Sequence, residues 1–134
     1  EGRKLLMTGD GLGSDILDGL AEAGLKTDAP LHLDVLKVPH HGSSNNVTRE
    51  FFEALPADIY VFSADGTHHN PDDETLRMLV EARGDAAYEM LFTTAMKNEA
   101  LHDHLMDTLQ HLQAGRNFTT SYTASGEQRL EVDL

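Results

Sequence analysis

Two stretches decide how this chain folds: Lys4-Leu5-Leu6-Met7-Thr8-Gly9-Asp10 and, one helix later, Leu33-Asp34-Val35-Leu36-Lys37-Val38-Pro39-His40-His41-Gly42-Ser43. Each is a short apolar run stopped by glycine or proline and followed at once by polar residues. That is the pattern of a strand running into a loop. Between them, Ile16, Leu17, Leu20, Ala21 and Ala23 recur at helical spacing. Ser14 stands where a cap is expected and Gly24 where the helix should stop. Residues 26–30 are a polar connection. The order strand, helix, strand points to an α/β layer.

The same unit repeats towards the C-terminus. A helix is expected over 48–55, with Thr48 as its cap, and a third strand over 58–63. The loop 64–72 follows, rich in Asp, Gly, His and Asn. Pro71 suits the first turn of the next helix, which runs to Ala82 with Leu76, Leu79 and Val80 inward. A fourth strand is read over 87–93. Asn98 opens a longer helix with Leu101, Leu105, Leu109 and Leu112 on one face, ended by Gly115. Residues 118–123 and 128–132 alternate as strands, and Ser125-Gly126 between them signals a hairpin. The fold class is α/β, with helices packed on a sheet. The first strand reads as buried. No internal repeat or linker divides residues 1–134.

Composition narrows the function classes. The chain has 134 residues, enough for a core without disulfides. It has no cysteine, so any metal must be held by His, Asp or Glu. Lack of cysteine fits a reducing compartment, and a cytoplasmic location is the expectation. The net charge is -13, from 23 acidic and 10 basic residues. Phosphate-backbone binding needs clustered Lys and Arg, so nucleic acid is disfavoured as a partner of this chain alone. No apolar run reaches the length of a membrane span.

Chemistry gathers at three strand ends: Gly9-Asp10-Gly11, His40-His41-Gly42-Ser43, and Asp65-Gly66-Thr67-His68-His69-Asn70-Pro71. In open α/β sheets, sites lie beyond the carboxyl ends of strands. Asp and His are competent ligands for zinc, manganese or iron. Singly, each stretch has an ordinary reading: a turn aspartate, a solvated histidine pair, a helix start. Their repetition at successive strand ends is what points to a site. His102, His104 and His111 read instead as a solvated helix face, and His32 as an edge or loop residue. Ser43 and Ser44 have no acid–base partner in the sequence that would make either a nucleophile.

The series Lys4-Leu5-Leu6-Met7-Thr8-Gly9-Asp10, Leu36-Lys37-Val38-Pro39-His40-His41-Gly42-Ser43 and Phe62-Ser63 leading to His68-His69-Asn70-Pro71 resembles the metallo-β-lactamase superfamily. The likeness is to the branch that includes the metallo-β-lactamase-like domain of competence-type DNA-uptake proteins, and it covers about residues 3–80. It implies the C-terminal half of an αββα sandwich, in which two sheets pack face to face between helices. It implies that Asp10 is the aspartate bridging two metal ions and that His40 is a late ligand of the second ion, these two being the catalytic pair. His41 is the next choice of ligand or a supporting partner. His68 or His69 would face the substrate or support the metal shell, with Ser43 as a further support. The cofactor implied is two zinc ions, with manganese and iron as alternatives. They would activate a water and polarise an ester, phosphodiester or related bond.

The chain also departs from the family. Its early H-x-H-x-D-H cluster is nowhere in these residues, and Asn70 precedes the proline where many relatives place His. The expectation is therefore a partial site, inactive alone, with the missing half upstream. The alternative is a degenerate, non-catalytic binding or assembly module. A half sandwich leaves an apolar sheet face, so self-association is expected.

Overall fold

The computed structural model describes residues 2–123. Nine strands and α-helices alternate among the described residues: β1 (Leu5–Met7), α1 (Gly13–Glu22), β2 (Leu33–Lys37), α2 (Arg49–Ala54), β3 (Ala57–Phe62), α3 (Asp73–Arg83), β4 (Tyr88–Phe92), α4 (Glu99–Gln113) and β5 (Phe118–Tyr122), with short 3-10 turns at Pro39–Gly42 and Thr67–His69. The α/β class expected from the sequence is what forms. The strand read over 128–132 and the hairpin turn at Ser125-Gly126 lie outside the described residues.

The five strands make one sheet, all parallel, in the spatial order β1-β2-β3-β4-β5. Neighbours in space are thus neighbours in sequence. Right-handed crossovers between such strands carry every helix to the same side. The packing agrees: Ile16 and Leu17 of α1, Phe51 and Phe52 of α2, Leu76 and Leu79 of α3, and Leu105 and Leu109 of α4 all join one core. That core rests on Leu36, Tyr60, Met90 and Phe92 of the sheet. Burying each large apolar side chain contributes about 1.5–3 kcal/mol. Aromatic rings bind the strands laterally. Phe62 stacks on Phe92, and Phe92 on Tyr122, with centroids 5.2 and 5.3 Å apart. Burial pushes the Tyr60 phenol up to about 12, while its oxygen accepts the Ala57 N–H at 2.9 Å.

The opposite face alternates out of register with the first. It carries Val35, Ile59, Val61 and Leu91 as a small second cluster, beside Leu5 and Met7. Among the described residues no helix packs there.

Three local readings need correction. The first strand is not buried: Leu5 is 56% and Met7 75% exposed. Among the described residues β1 pairs only with β2, and only Leu6 of its three residues turns to the helical core. Ser14 does not cap α1. The helix starts at Gly13 with Leu12 as its cap residue, and the Ser14 hydroxyl turns to Asp15. A tertiary contact overrides the local signal, because Gly13 donates its N–H to the Asn46 carbonyl at 2.7 Å. A Cβ at Gly13 would lie 3.0 Å from that carbonyl and from the Phe51 ring. Pro71 likewise falls outside α3, whose cap residue is Asp72 and which continues to Arg83. By contrast Thr48 and Asn98 cap as expected, accepting from Phe51 N and Leu101 N.

Candidate functional site

Because every strand is parallel, the loops after β1, β2, β3 and β4 emerge on one edge of the sheet. Among the described residues the chain order of the strands is never reversed, so they form no switch-point crevice of the doubly wound kind. The depression on this edge is built from the loops themselves. It is an open cleft of about 810 Å³, lined among others by His40, His41 and Ser43 after β2, Ser63, Asp65 and His68 after β3, and Thr94 after β4.

The backbone of this edge is unusual. The non-glycine residues with positive φ among the described residues are four, and all are histidines: His40 (44°), His41 (58°), His68 (58°) and His69 (63°). A left-handed conformation costs a residue with a Cβ about 1–2 kcal/mol. Such outliers persist where the surroundings over-determine them, and they cluster at functional sites.

The surroundings are two loops locked together. Asp72 donates its N–H to the Gly42 carbonyl at 3.0 Å. The Asp72 carboxylate accepts from the Ser44 N–H at 2.7 Å and from the Ser44 hydroxyl at 2.8 Å. Gly42 has φ +87°, and a Cβ there would sit 2.7 Å from Pro71 Cβ and 3.0 Å from the Phe62 ring. Glycine is therefore required between the histidine pair and Ser43, both for its backbone angle and for the approach of Pro71. Asp65 braces the second loop. Hydrogen bonds from the Thr67 hydroxyl and amide hold its carboxyl below the usual aspartate value.

Each histidine after β2 is tied through Nδ1. His41 Nδ1 lies 2.6 Å from the Ser63 carbonyl, which can only accept. The proton of the neutral ring is therefore on Nδ1, and in that form Nε2 carries the lone pair. His40 Nδ1 lies 2.8 Å from Asn46 Oδ1. The Asn46 amide is oriented by its own nitrogen, which donates to the carbonyls of Asp10 and Gly11 at 3.1 and 3.2 Å. Its oxygen must therefore face His40, which again puts the proton on Nδ1. Imidazoles held this way are suited to bind a metal or accept a proton through Nε2.

The other expected site residues are dispersed. Asp10 is exposed and does not line the cleft. Its charge acts on Lys37, whose ammonium is pushed down by burial and partly raised again by Asp10. The two strand ends are nonetheless joined, since His40 N donates to the Gly9 carbonyl at 3.0 Å. His69 faces a neighbouring hollow with Ser44, Asp73 and His104. There His104 Nε2 meets the Asp73 carboxylate at 3.0 Å, so this exposed helix histidine has a specific partner. Ser43 is 6% exposed, and its hydroxyl accepts weakly from Asn45 N at 3.4 Å, a structural role. Asn46 and Asp72 do most of the holding, and the sequence reading passed over both. The only local hint is position: Asp72 directly follows the HHNP stretch, and Asn46 stands three residues after the HHGS stretch.

The donor chemistry of His40 and His41 fits a zinc-type metal, but the number of donors does not close a site. Among the described residues no group of three or more His, Asp or Glu side chains is placed to hold an ion. No helix in this part is long and apolar enough to cross a membrane. Comparison with protein-family models, curated proteins and solved structures gives no match.

Proposed function

We propose that this chain is one half of a metal-dependent hydrolase domain of metallo-β-lactamase type, supplying ligands from its strand ends to a site completed by other residues. The observation that carries the reading is the histidine pair after β2: both rings are held by Nδ1, on a left-handed backbone. The one-sided sheet also favours it. All four helices lie on one face, and the other is apolar around Val35, Ile59 and Leu91, as a sheet that meets a second sheet would be.

In this reading His40 offers a neutral imidazole nitrogen and Asp10 a carboxylate from the adjoining strand end. His41 is the second imidazole, and His68 lies across the cleft where a substrate would enter. Divalent zinc, manganese or iron in a complete domain would supply a metal-activated water for an ester, phosphodiester or related bond. The substrate is a small molecule or a phosphodiester. The charge of -13 argues against a nucleic-acid backbone held by this chain alone.

A second reading is a non-catalytic module of the same type. The absence of a three-donor group among the described residues favours it. The test is zinc and manganese calorimetry on the 134-residue chain beside an Asp10→Ala, His40→Ala double variant. Binding that disappears in the double variant supports the ligand reading. No binding, or binding that the substitutions leave unchanged, overturns it for this chain and favours the module.

A further inference from the structure

We infer that Asn46 is the positioning residue of the strand-end site: it sets the tautomer of His40 and fastens the Asp10 loop to it. The inference rests on the reading of His40 and Asp10 as ligands, but its structural content can be tested apart from that reading.

Asn46 is 9% exposed and sits in the turn after the HHGS loop. Its backbone N–H closes its own turn on the Ser43 carbonyl at 3.1 Å, and its three other polar atoms reach the two strand ends and the start of α1. Its side-chain nitrogen donates to the carbonyls of Asp10 and Gly11. Its side-chain oxygen faces His40 Nδ1 at 2.8 Å. Its own carbonyl accepts the Gly13 N–H at 2.7 Å, the contact that fixes where α1 begins. One residue therefore spans β1, α1 and β2 at the edge where the candidate ligands emerge.

The consequence for His40 is chemical. A free neutral histidine side chain prefers its proton on Nε2. The Asn46 oxygen holds the proton on Nδ1 instead, leaving the Nε2 lone pair available. An amide can do this because its two ends are distinguishable: two carbonyls claim the NH₂, so only the oxygen is left for the ring. A hydroxyl at the same place could donate as well as accept, and would not dictate the tautomer. His41 is held in the same tautomer by a backbone carbonyl, which substitution cannot remove. It is therefore an internal reference.

The experiment is ¹⁵N imidazole NMR at about pH 8.5, some two units above an ordinary histidine. The expected wild-type result is an Nδ1-protonated form for both His40 and His41. In Asn46→Leu, His40 should move to the Nε2-protonated form while His41 stays. Asn46→Asp keeps an acceptor for the ring but loses both donations to the Asp10 loop. It should therefore restore the His40 tautomer and still shift the Asp10 and Gly11 amide resonances. That rescue separates positioning from a general structural role, and it answers the question even if the leucine variant folds poorly.

His40 protonated on Nε2 in the wild type would overturn the inference. So would an Nδ1-protonated His40 in a folded Asn46→Leu variant, or an Asn46→Asp variant that fails to restore it. Zinc titration provides the second readout. Loss of an outer partner of a histidine ligand typically weakens metal binding about 10–100-fold. A drop of that size in Asn46→Leu, with partial recovery in Asn46→Asp, supports the inference. The expected tautomers in a wild type that binds no zinc would uphold Asn46 as the positioning residue while rejecting the ligand reading. Zinc binding by a wild type with the wrong tautomer would do the reverse.

Discussion

Replacing Gly42 with alanine should destabilise the chain far more than the same change at an open glycine. The cost has two parts. With φ at +87°, an alanine pays the left-handed penalty, about 1–2 kcal/mol. Its Cβ would also lie 2.7 Å from Pro71 Cβ and 3.0 Å from the Phe62 ring. Neither neighbour can swing aside: Pro71 is a ring next to Asp72, which is bonded to Gly42 and Ser44, and Phe62 is fully buried. Overpacking of this kind costs about 1–3 kcal/mol. Against this, alanine restricts the unfolded chain and returns about 0.4–1 kcal/mol. The sum is a loss of about 1–4.6 kcal/mol, near 3 at the middle of each range. Gly24 is the control. Its φ is +69°, but a Cβ there meets nothing within 4 Å. Gly24→Ala should cost no more than about 1.6 kcal/mol, strain alone less the unfolded-state gain. Urea unfolding of both variants, with m values compared to confirm a like-for-like transition, measures the difference. If Gly42→Ala fell within about 0.5 kcal/mol of Gly24→Ala, beyond the scatter of ordinary surface changes, the clamp between the two loops would not exist as described.

Two more outcomes are expected. Asp34 accepts from the Lys4 amide at 2.7 Å and the Arg3 guanidinium at 2.8 Å, and these hold its carboxyl below the usual 3.8. A depressed carboxyl contributes stability that is complete above the unfolded value and is lost as pH falls through the folded one. Protection of the β1 amides, taken relative to their intrinsic exchange rates, should therefore fall below about pH 4, and Asp34→Asn should flatten that dependence; an identical acid profile in the variant would remove Asp34 as the cause. The chain should self-associate through the apolar face and the exposed β1 edge, so Met7→Lys should lower the association seen in sedimentation velocity. A wild type that stays monomeric across a wide concentration range would refute this.

Much of the architecture was legible in the residue pattern. Alternation of short apolar runs with helical spacing identifies the nine described strands and α-helices, because period and breaker residues are local properties, while the 3-10 turns at Pro39–Gly42 and Thr67–His69 read only as loops. Thr48 and Asn98 were readable as caps for the same reason: a cap bonds only two or three residues away. The failures share one cause. Ser14, Pro71 and the burial of β1 were misread where a partner distant in sequence outweighs the local signal. Asn46 holds Gly13, Gly42 and Ser44 hold Asp72, and β1 lies at the end of the sheet that the described residues form.

The site divides in the same way. The sequence by itself determined which polar residues stand at strand ends, and parallel strands then place those ends on one edge. Only the tertiary structure decided which of them meet. His40, His41 and His68 share a cleft, Asp10 stays outside it, and His69 turns to another hollow. It also decided the chemistry of the imidazoles, since a tautomer is set by the partner of the other ring nitrogen. For His41 that partner is Ser63, 22 residues away; for His40 it is Asn46, whose own orientation depends on carbonyls 35 and 36 residues back. Contacts at that separation depend on strand order and loop packing, which no short window of sequence contains.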